Sequence, residues 1–236
     1  MAFNFQTFKT RALTALLFVV VMLTGLLWNF WSFLILFTVI HFGCWYEFVK
    51  LMKKIDGDKY LGYCLFGLIY ITMPVLMMID LGSEWRIHTV DNTNEVIYNM
   101  VIPVTVIFSI WVNDTMAYLV GSFIGKTPLT KISPKKTWEG TLGGIILCII
   151  AIGFLLPLLL NNQLQLATIP ASAWFVIPAL CAIFGTFGDL FESKLKRMAG
   201  VKDSGSFMPG HGGFLDRFDS LLVAVPAVWA YVYFIM

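Results

Sequence analysis

Residues 140–160, GTLGGIILCIIAIGFLLPLLL, form an apolar run that contains no charged side chain. A helix of about 20 residues is long enough to cross the hydrocarbon core of a bilayer. The run lacks the alternation of apolar and polar residues that is typical of barrel strands. It therefore predicts a membrane-spanning helix.

The composition extends this prediction to the whole chain of 236 residues. Hydrophobic residues make up 58% and charged residues only 13%, where a soluble domain carries about 25% charged residues. This excludes an ordinary soluble globule. Six more apolar runs predict spans at approximately 12–28, 30–48, 60–81, 96–123, 171–190 and 215–235. We therefore predict an all-α polytopic membrane protein with about seven transmembrane helices, forming a single integral membrane domain over residues 1–236.

The distribution of basic residues predicts the orientation. With seven spans, every Lys and Arg except Arg86 falls on the side of the N-terminus, and Lys and Arg prefer cytoplasmic loops. The N-terminus is predicted to be cytoplasmic and the C-terminus outside, in a multi-pass protein of the cell inner (cytoplasmic) membrane. The net charge of +2 gives no support for a nucleic-acid partner.

Several common kinds of site are excluded by their missing residues. The four cysteines are isolated from one another, so neither a disulfide framework nor a zinc knuckle is supported. The motifs HExxH and GxSxG are absent, which argues against a zinc peptidase and a serine hydrolase. Residues 121–127, GSFIGKT, resemble a phosphate loop, but Val120 occupies the position of its first glycine, so a nucleotide-binding phosphate loop is rejected.

The segment 189–219 is unusually rich in charge, with five acidic and five basic residues. A loop that only followed the preference for cytoplasmic cations would not need the acids. If the sixth span continues past Leu190, Asp189, Ser193 and Lys196 share one helix face. Asp216 and Asp219 share a face in the same way, after the glycine-rich residues 209–213. Carboxylates suit a divalent cation, whereas hydroxyl and ammonium groups suit phosphate oxygens, so the pattern predicts a metal-phosphate site. Alternatively, Asp219 is a carboxylate favoured by the helix dipole.

Two further polar sets precede this segment. Ser133, Lys135 and Lys136 lie just before the fifth span, where anions are favoured. The alternative is a cationic anchor at the membrane surface. Asn113 and Asp114 lie in an apolar helix, where acidic residues are functional candidates by default. A structural ion pair with a lysine of the neighbouring loop is the alternative for Asp114.

Residues 193–219, SKLKRMAGVKDSGSFMPGHGGFLDRFD, resemble the signature of the phosphatidate cytidylyltransferases, also called CDP-diacylglycerol synthases. That signature has a Ser, a LysArg pair, a LysAsp pair after four residues, HisGlyGly, AspArg and a final Asp, and every fixed position is filled here without a gap. The segments GDLFES, ISPKKTWEG and NDTMAYLVG are also similar to family segments in the same order. The resemblance covers residues 113–220.

The resemblance implies a reaction of CTP with phosphatidic acid that gives CDP-diacylglycerol and pyrophosphate at the cytoplasmic membrane face. Mg²⁺ is the implied cofactor, with a second cation as a candidate, and a homodimer is a candidate assembly. Asp189 and Asp216 are the implied metal ligands, and Asp219 is a further candidate. The catalytic residues carried over from the resemblance are Asp189, Asp216, Lys196, Lys202 and Asp203. The substrate-binding residues are Asn113, Asp114, Ser133, Lys135, Lys136, Ser193, Arg197, His211 and Arg217.

Two other functions compete with this hypothesis. A polyprenol or dolichol kinase would also use CTP on a membrane lipid, but the complete signature counts against it. A transporter would use Asp114 and Asp189 as coordinating groups in a pathway. The clustering of acids at one membrane face counts against transport.

Overall fold

The computed structural model describes residues 5–88, 93–160, 169–208 and 212–236. These residues are mostly helical, as predicted. The α-helices are α1 (Phe5–Leu27), α2 (Phe30–Asp56), α3 (Cys64–Gly67), α4 (Met73–Gly82), α5 (Val101–Ile124), α6 (Trp138–Leu159), α7 (Ala173–Met198) and α8 (Leu215–Phe234). A 3₁₀-helix (Gly57–Tyr63) and a π-helical turn (Leu68–Thr72) lie between α2 and α4.

Within the described residues, four helical stretches are long and apolar enough to cross a membrane. They are Phe30–Gly82, Val101–Ile124, Trp138–Leu159 and Ala173–Met198. The apolar part of α1, Ala12–Leu27, is shorter, and α8 carries Asp216, Arg217 and Asp219 in its first turns. The chain is therefore a helical membrane protein, and the count of seven spans stays a prediction.

The break between the first two predicted spans is confirmed at Asn29. Its side-chain Oδ1 accepts a hydrogen bond from the Ser32 amide at 2.9 Å, and its own amide donates to Ser32 Oγ at 3.1 Å. This reciprocal capping box starts α2. Leu36 of α2 lies against Gly25 of α1, which lets the two helices approach closely.

The long stretch Phe30–Gly82 consists of two antiparallel legs. The chain reverses at Gly57, whose φ of 54° suits a glycine. After the reversal, Gly67 lies against Trp45, and Gly82, at the end of the returning leg, lies against Phe33 near the start of α2. The sequence prediction of separate spans at 30–48 and 60–81 agrees with these two legs.

A β-hairpin lies where the sequence predicted an outer loop. Strand β1 (Ser83–His88) pairs antiparallel with β2 (Thr93–Tyr98), with Ser83 opposite Tyr98. The predicted start of the fourth span at residue 96 was therefore wrong, because this residue belongs to β2. The helix begins at Val101, whose amide donates to Asn99 Oδ1 at 3.1 Å.

Small residues bring α5 and α6 together. A Cβ atom on Gly144 would lie 2.7 Å from the Ala117 Cβ, and one on Gly140 would lie 2.9 Å from the Gly121 Cα. Both contacts are shorter than carbon atoms tolerate. In a membrane, such close contact supplies the dispersion energy that holds two helices together.

We expect Gly144→Leu to lower the thermal stability of the protein. The new side chain would have to push α5 away from α6, and overpacking of this kind costs about 1–3 kcal/mol. The matched control is Gly62→Leu, because a Cβ at Gly62 meets no atom within 4 Å. The melting temperature of each variant is measured in detergent, as the temperature at which monodisperse protein is lost on size exclusion. Equal melting temperatures for the two variants would contradict the close packing of α5 and α6.

Candidate active site

Helix α7 runs past Leu190 to Met198, which confirms the condition for a polar stripe on one face. Ser193 Oγ donates to Asp189 Oδ1 at 3.3 Å, and Lys196 reaches across to Asp216 of α8. Gly188 makes this possible, because α7 touches the backbone of α8 there. A Cβ on Gly188 would lie 3.0 Å from the Ser220 Cα.

Asp216 is held by donors on both of its carboxylate oxygens. Oδ1 accepts from Lys196 Nζ at 2.6 Å. Oδ2 accepts from the Ser204 amide at 2.9 Å and the Gly213 amide at 2.7 Å, and it lies 2.9 Å from Ser204 Oγ. Gly212 has a φ of 87°, and a Cβ there would collide with the Asp216 carboxylate. Ser204 and Gly213, from the two described parts of the loop before α8, therefore both bind this side chain.

Lys196 joins two acids from different helices. Besides Asp216, it forms an ion pair with Glu192, one turn earlier on α7. The Glu192 side chain is fully buried, and those of Lys196 and Asp216 are 14% and 7% exposed. Sequence reasoning did not select Glu192, although its i, i+4 spacing to Lys196 was a usable signal.

A second ion pair joins the loop before α6 to α7. Lys136 Nζ lies 2.5 Å from Asp189 Oδ2. The loop folds back on itself through a bridge between Pro128 and Thr137, and Thr137 caps α6 by accepting from the Gly140 amide at 3.1 Å. Two segments that are about 50 residues apart in the sequence thus place a cation and an anion side by side.

The GSFIGKT segment does not form a phosphate cradle. The amides of Lys126 and Thr127 donate to the Glu139 carboxylate at 3.2 Å. These amides already have a partner within the chain, which agrees with the rejection of a phosphate loop.

A cavity of about 700 Å³ lies between α1, α5, the loop before α6, α7 and the start of α8. It collects most of the predicted site residues. Those that line it are Asn113, Asp114, Ser133, Lys135, Lys136, Asp189, Asp216, Arg217 and Asp219. Apolar side chains of Phe18, Ile110 and Trp111 form another part of the wall. The cavity therefore combines charged groups suited to phosphates with a wall suited to apolar chains.

Asn113 provides an unsatisfied polar atom at this cavity. Its side chain is 4% exposed, and its Oδ1 has no hydrogen-bond partner among the residues that the structure describes. A buried carbonyl oxygen without a donor costs free energy, so this atom is suited to accept a hydrogen bond from a bound molecule.

The remaining predicted residues do not line the cavity. Ser193 and Lys196 instead contact two residues that do line it: Ser193 donates to Asp189, and Lys196 donates to Asp216. Arg197, Lys202 and Asp203 are exposed, and Arg197 donates to the Val201 carbonyl at 3.3 Å. His211 lies outside the described residues.

Sequence reasoning also missed Glu47 of α2. This carboxylate is 3% exposed and lies against Ser204 and the start of α8. The rule that selected Asp114, an acid inside an apolar run, applies equally to Glu47. Its partners lie far away in the sequence, so the local pattern gave no indication of them.

The fold and the cavity define a class: a helical membrane protein with carboxylate and ammonium groups gathered around a cavity where several helices end. The chain belongs to the cytidylyltransferase family, whose model matches residues 61–235.

Curated relatives carry a more specific name. The chain is 45% identical over 122 residues to a phosphatidate cytidylyltransferase of Thermotoga maritima, a match that covers 51% of this chain and 45% of the relative. It is 48% identical over 120 residues to the chloroplastic phosphatidate cytidylyltransferase 4 of Arabidopsis thaliana, covering 50% of this chain and 29% of the relative. A phosphatidate cytidylyltransferase of Staphylococcus saprophyticus is 33% identical over 165 residues, a match that covers 70% of this chain and 56% of the relative. The chain spans about half the length, or less, of the relatives it matches.

Proposed function

We propose that the protein transfers the CMP moiety of CTP to phosphatidic acid, which gives CDP-diacylglycerol and pyrophosphate. The observation that carries this proposal is the single cavity that Lys135, Lys136 and Arg217 line together with Asp189 and Asp216. Membership of the cytidylyltransferase family and the names of the relatives support it.

The chemistry of the substrates fits this set of residues. The phosphate monoester of phosphatidic acid has a second pKa of about 6, so it is already an anionic nucleophile at neutral pH and needs no strong base. Its difficulty is the approach to a second anion, the triphosphate. Lys135, Lys136 and Arg217 would bind phosphate oxygens and reduce this repulsion. We infer a direct displacement at the α-phosphorus, and isolation of a covalent enzyme intermediate on the reaction path would contradict it.

The apolar wall has a separate role in this proposal. Phe18, Ile110 and Trp111 line the same cavity as the charged groups. They would contact the glycerol and acyl portion of the lipid, while its phosphate reaches the basic side chains. One cavity would thus admit a water-soluble nucleotide and a membrane lipid together.

The donor set fits Mg²⁺ if the substrate completes the coordination. Within the described residues, no group of three His, Cys, Asp or Glu side chains is arranged to hold a metal ion. Mg²⁺ is usually held by one or two carboxylates together with waters and substrate phosphates. Asp189 and Asp216 line the cavity and would hold it in this way, with Asp219 as a further candidate. When bound, Mg²⁺ would neutralise phosphate charge and stabilise the departing pyrophosphate.

The proposed membrane arrangement has seven spans, formed by α1, α2, the returning leg that ends with α4, and α5 to α8. In this arrangement the protein lies in the inner (cytoplasmic) membrane, and the cavity faces the cytoplasm. The preference of Lys and Arg for the cytoplasmic side supports this arrangement, because the lysines of the cavity lie at one end of the bundle and the β-hairpin with Arg86 lies at the other.

CTP labelled separately at the α- and γ-phosphates tests the function. We expect purified protein with Mg²⁺ and phosphatidic acid to transfer the α-label into lipid and to release the γ-label in pyrophosphate. In a parallel reaction with a polyprenol in place of phosphatidic acid, transfer of the γ-label to the polyprenol would indicate a lipid kinase. Flux in sealed vesicles without turnover would indicate a transporter, and either outcome would overturn the proposal.

Lys136→Ala should lower kcat/KM for CTP by about 10–100-fold, because it removes a cation from the phosphate-binding wall. The matched control is Lys131→Ala. Lys131 lies in the same loop but is exposed and is not part of the cavity wall. Initial rates at varied CTP concentration measure both variants. Equal losses in the two would show that Lys136 acts only through the general charge of the loop.

A further inference from the structure

Glu47 is a buried carboxylate outside the cavity that holds the proposed reaction. It lies in the second half of α2, where Cys44 and Phe48 beside it are fully buried. The Glu47 side chain itself is 3% exposed. A carboxylate in such a place is costly unless it is hydrogen-bonded, so its contacts indicate why it is there.

Among the described residues, the hydrogen-bond partners of the Glu47 side chain lie in the loop before α8 and at the start of that helix. Oε2 lies 2.7 Å from Ser204 Oγ and accepts from the Leu215 amide at 2.9 Å. Gly205 and Gly213 leave room for the carboxylate, because a Cβ on either residue would collide with it. The loop is therefore shaped around Glu47 at both of its ends.

The same loop holds Asp216. Ser204 contacts Glu47 on one side and the Asp216 Oδ2 on the other, where its amide and Oγ both lie 2.9 Å away. Leu215, which donates to Glu47, is the residue directly before Asp216. A change in the position of the Glu47 carboxylate would thus move Ser204, which contacts the Asp216 carboxylate, and the backbone directly before Asp216.

We propose that Glu47 is a positioning residue for Asp216, acting through Ser204 and the Leu215 amide. This inference rests on the proposed function. Glu47 is not among the residues that line the 700 Å³ cavity; it borders a different one, of about 610 Å³, on the α2 side of the loop. It therefore acts on the reaction through Asp216 and does not contact substrate.

The test compares Glu47→Ala, Ser204→Ala and the double variant in the labelled-CTP assay. If both residues act through one network, each single variant should lower kcat by about 30-fold. The double variant should then be no less active than the less active of the two single variants. The KM for CTP should change by less than about threefold, because the change affects reactive geometry more than binding. Glu47→Gln should retain most activity, because its amide oxygen can accept from Ser204 and Leu215.

A control separates positioning from simple attachment of the helices. Asp80 of α4 also ties the N-terminal helices to α8, by accepting from Trp229 Nε1 at 2.7 Å, but it lies away from the cavity. Asp80→Ala removes this acceptor and should lower the melting temperature, while kcat stays within about twofold of the unaltered protein.

Several outcomes would overturn the inference. Losses that multiply in the double variant would show that Glu47 and Ser204 act independently. An unchanged kcat per folded molecule in Glu47→Ala would show a structural role alone. If Glu47→Ala does not fold, full activity in Ser204→Ala has the same consequence. Absence of CDP-diacylglycerol synthesis by the unaltered protein would overturn the proposed function, and the positioning role with it.

Discussion

Asp216→Asn is expected to abolish most turnover while the helices remain intact. The two amide donors on Oδ2 would retain the amide oxygen, which turns the new NH₂ group toward Lys196 Nζ, now 2.6 Å from a carboxylate oxygen. Two donors would then face each other. Loss of one active-site electrostatic group typically raises the barrier by about 2.7–4 kcal/mol, and about 1.4 kcal/mol in the barrier is tenfold in rate. We therefore expect a loss of about 10²–10³-fold, or more if Asp216 also holds Mg²⁺.

The measurement is kcat in the labelled-CTP assay, together with helix content by circular dichroism. Asp58→Asn is the matched control, because Asp58 is an exposed acid in the turn after α2. It should have normal kcat. A near-normal rate for Asp216→Asn would remove this residue from the reaction.

Asp189→Asn is expected to have the second largest effect, a loss of about 100-fold in kcat. Asp189 pairs with Lys136 at 2.5 Å and accepts from Ser193 at 3.3 Å. Its side chain is 30% exposed, so the lost ion pair alone would cost less than that of Asp216. Most of the expected loss therefore depends on its proposed role as a metal ligand.

A double variant with Lys136→Ala separates these two contributions. If Asp189 served only to orient Lys136, the double variant would be no worse than Lys136→Ala alone. If Asp189 holds Mg²⁺, the double variant should lose more, and Asp189→Asn should need a higher Mg²⁺ concentration for half-maximal rate. A loss confined to the ion pair would contradict the metal role.

Most of the helices were predictable because a long apolar run favours a helix that crosses a bilayer. Their ends were less so. Residues 93–98 contain apolar side chains that merge with the following run, and only pairing with β1 reveals a strand. The end of α7 could be predicted only conditionally, because polar residues near a membrane surface can continue a helix or leave it.

The candidate site was predictable where its residues share a local pattern. Asp189, Ser193 and Lys196 lie on consecutive turns of one helix, and the signature segment contains Asp216. The ion pair of Lys136 with Asp189 was not predictable in the same way, because it depends on how α6 and α7 pack. Glu47 was the hardest to find, since its hydrogen-bond partner Ser204 lies 157 residues away.

The bond from Glu47 to the first turn of α8 also bears on how small a working version of this protein can be. The match to the family model starts at residue 61, after α2. The signature alone would suggest that residues 113–220 can be grafted onto another membrane protein. Such a graft would carry Asp216 and its loop but not the carboxylate on α2 that accepts the Leu215 amide. The smallest transplantable unit therefore includes α2, and any chimera needs an acceptor at that point if the loop is to keep its shape.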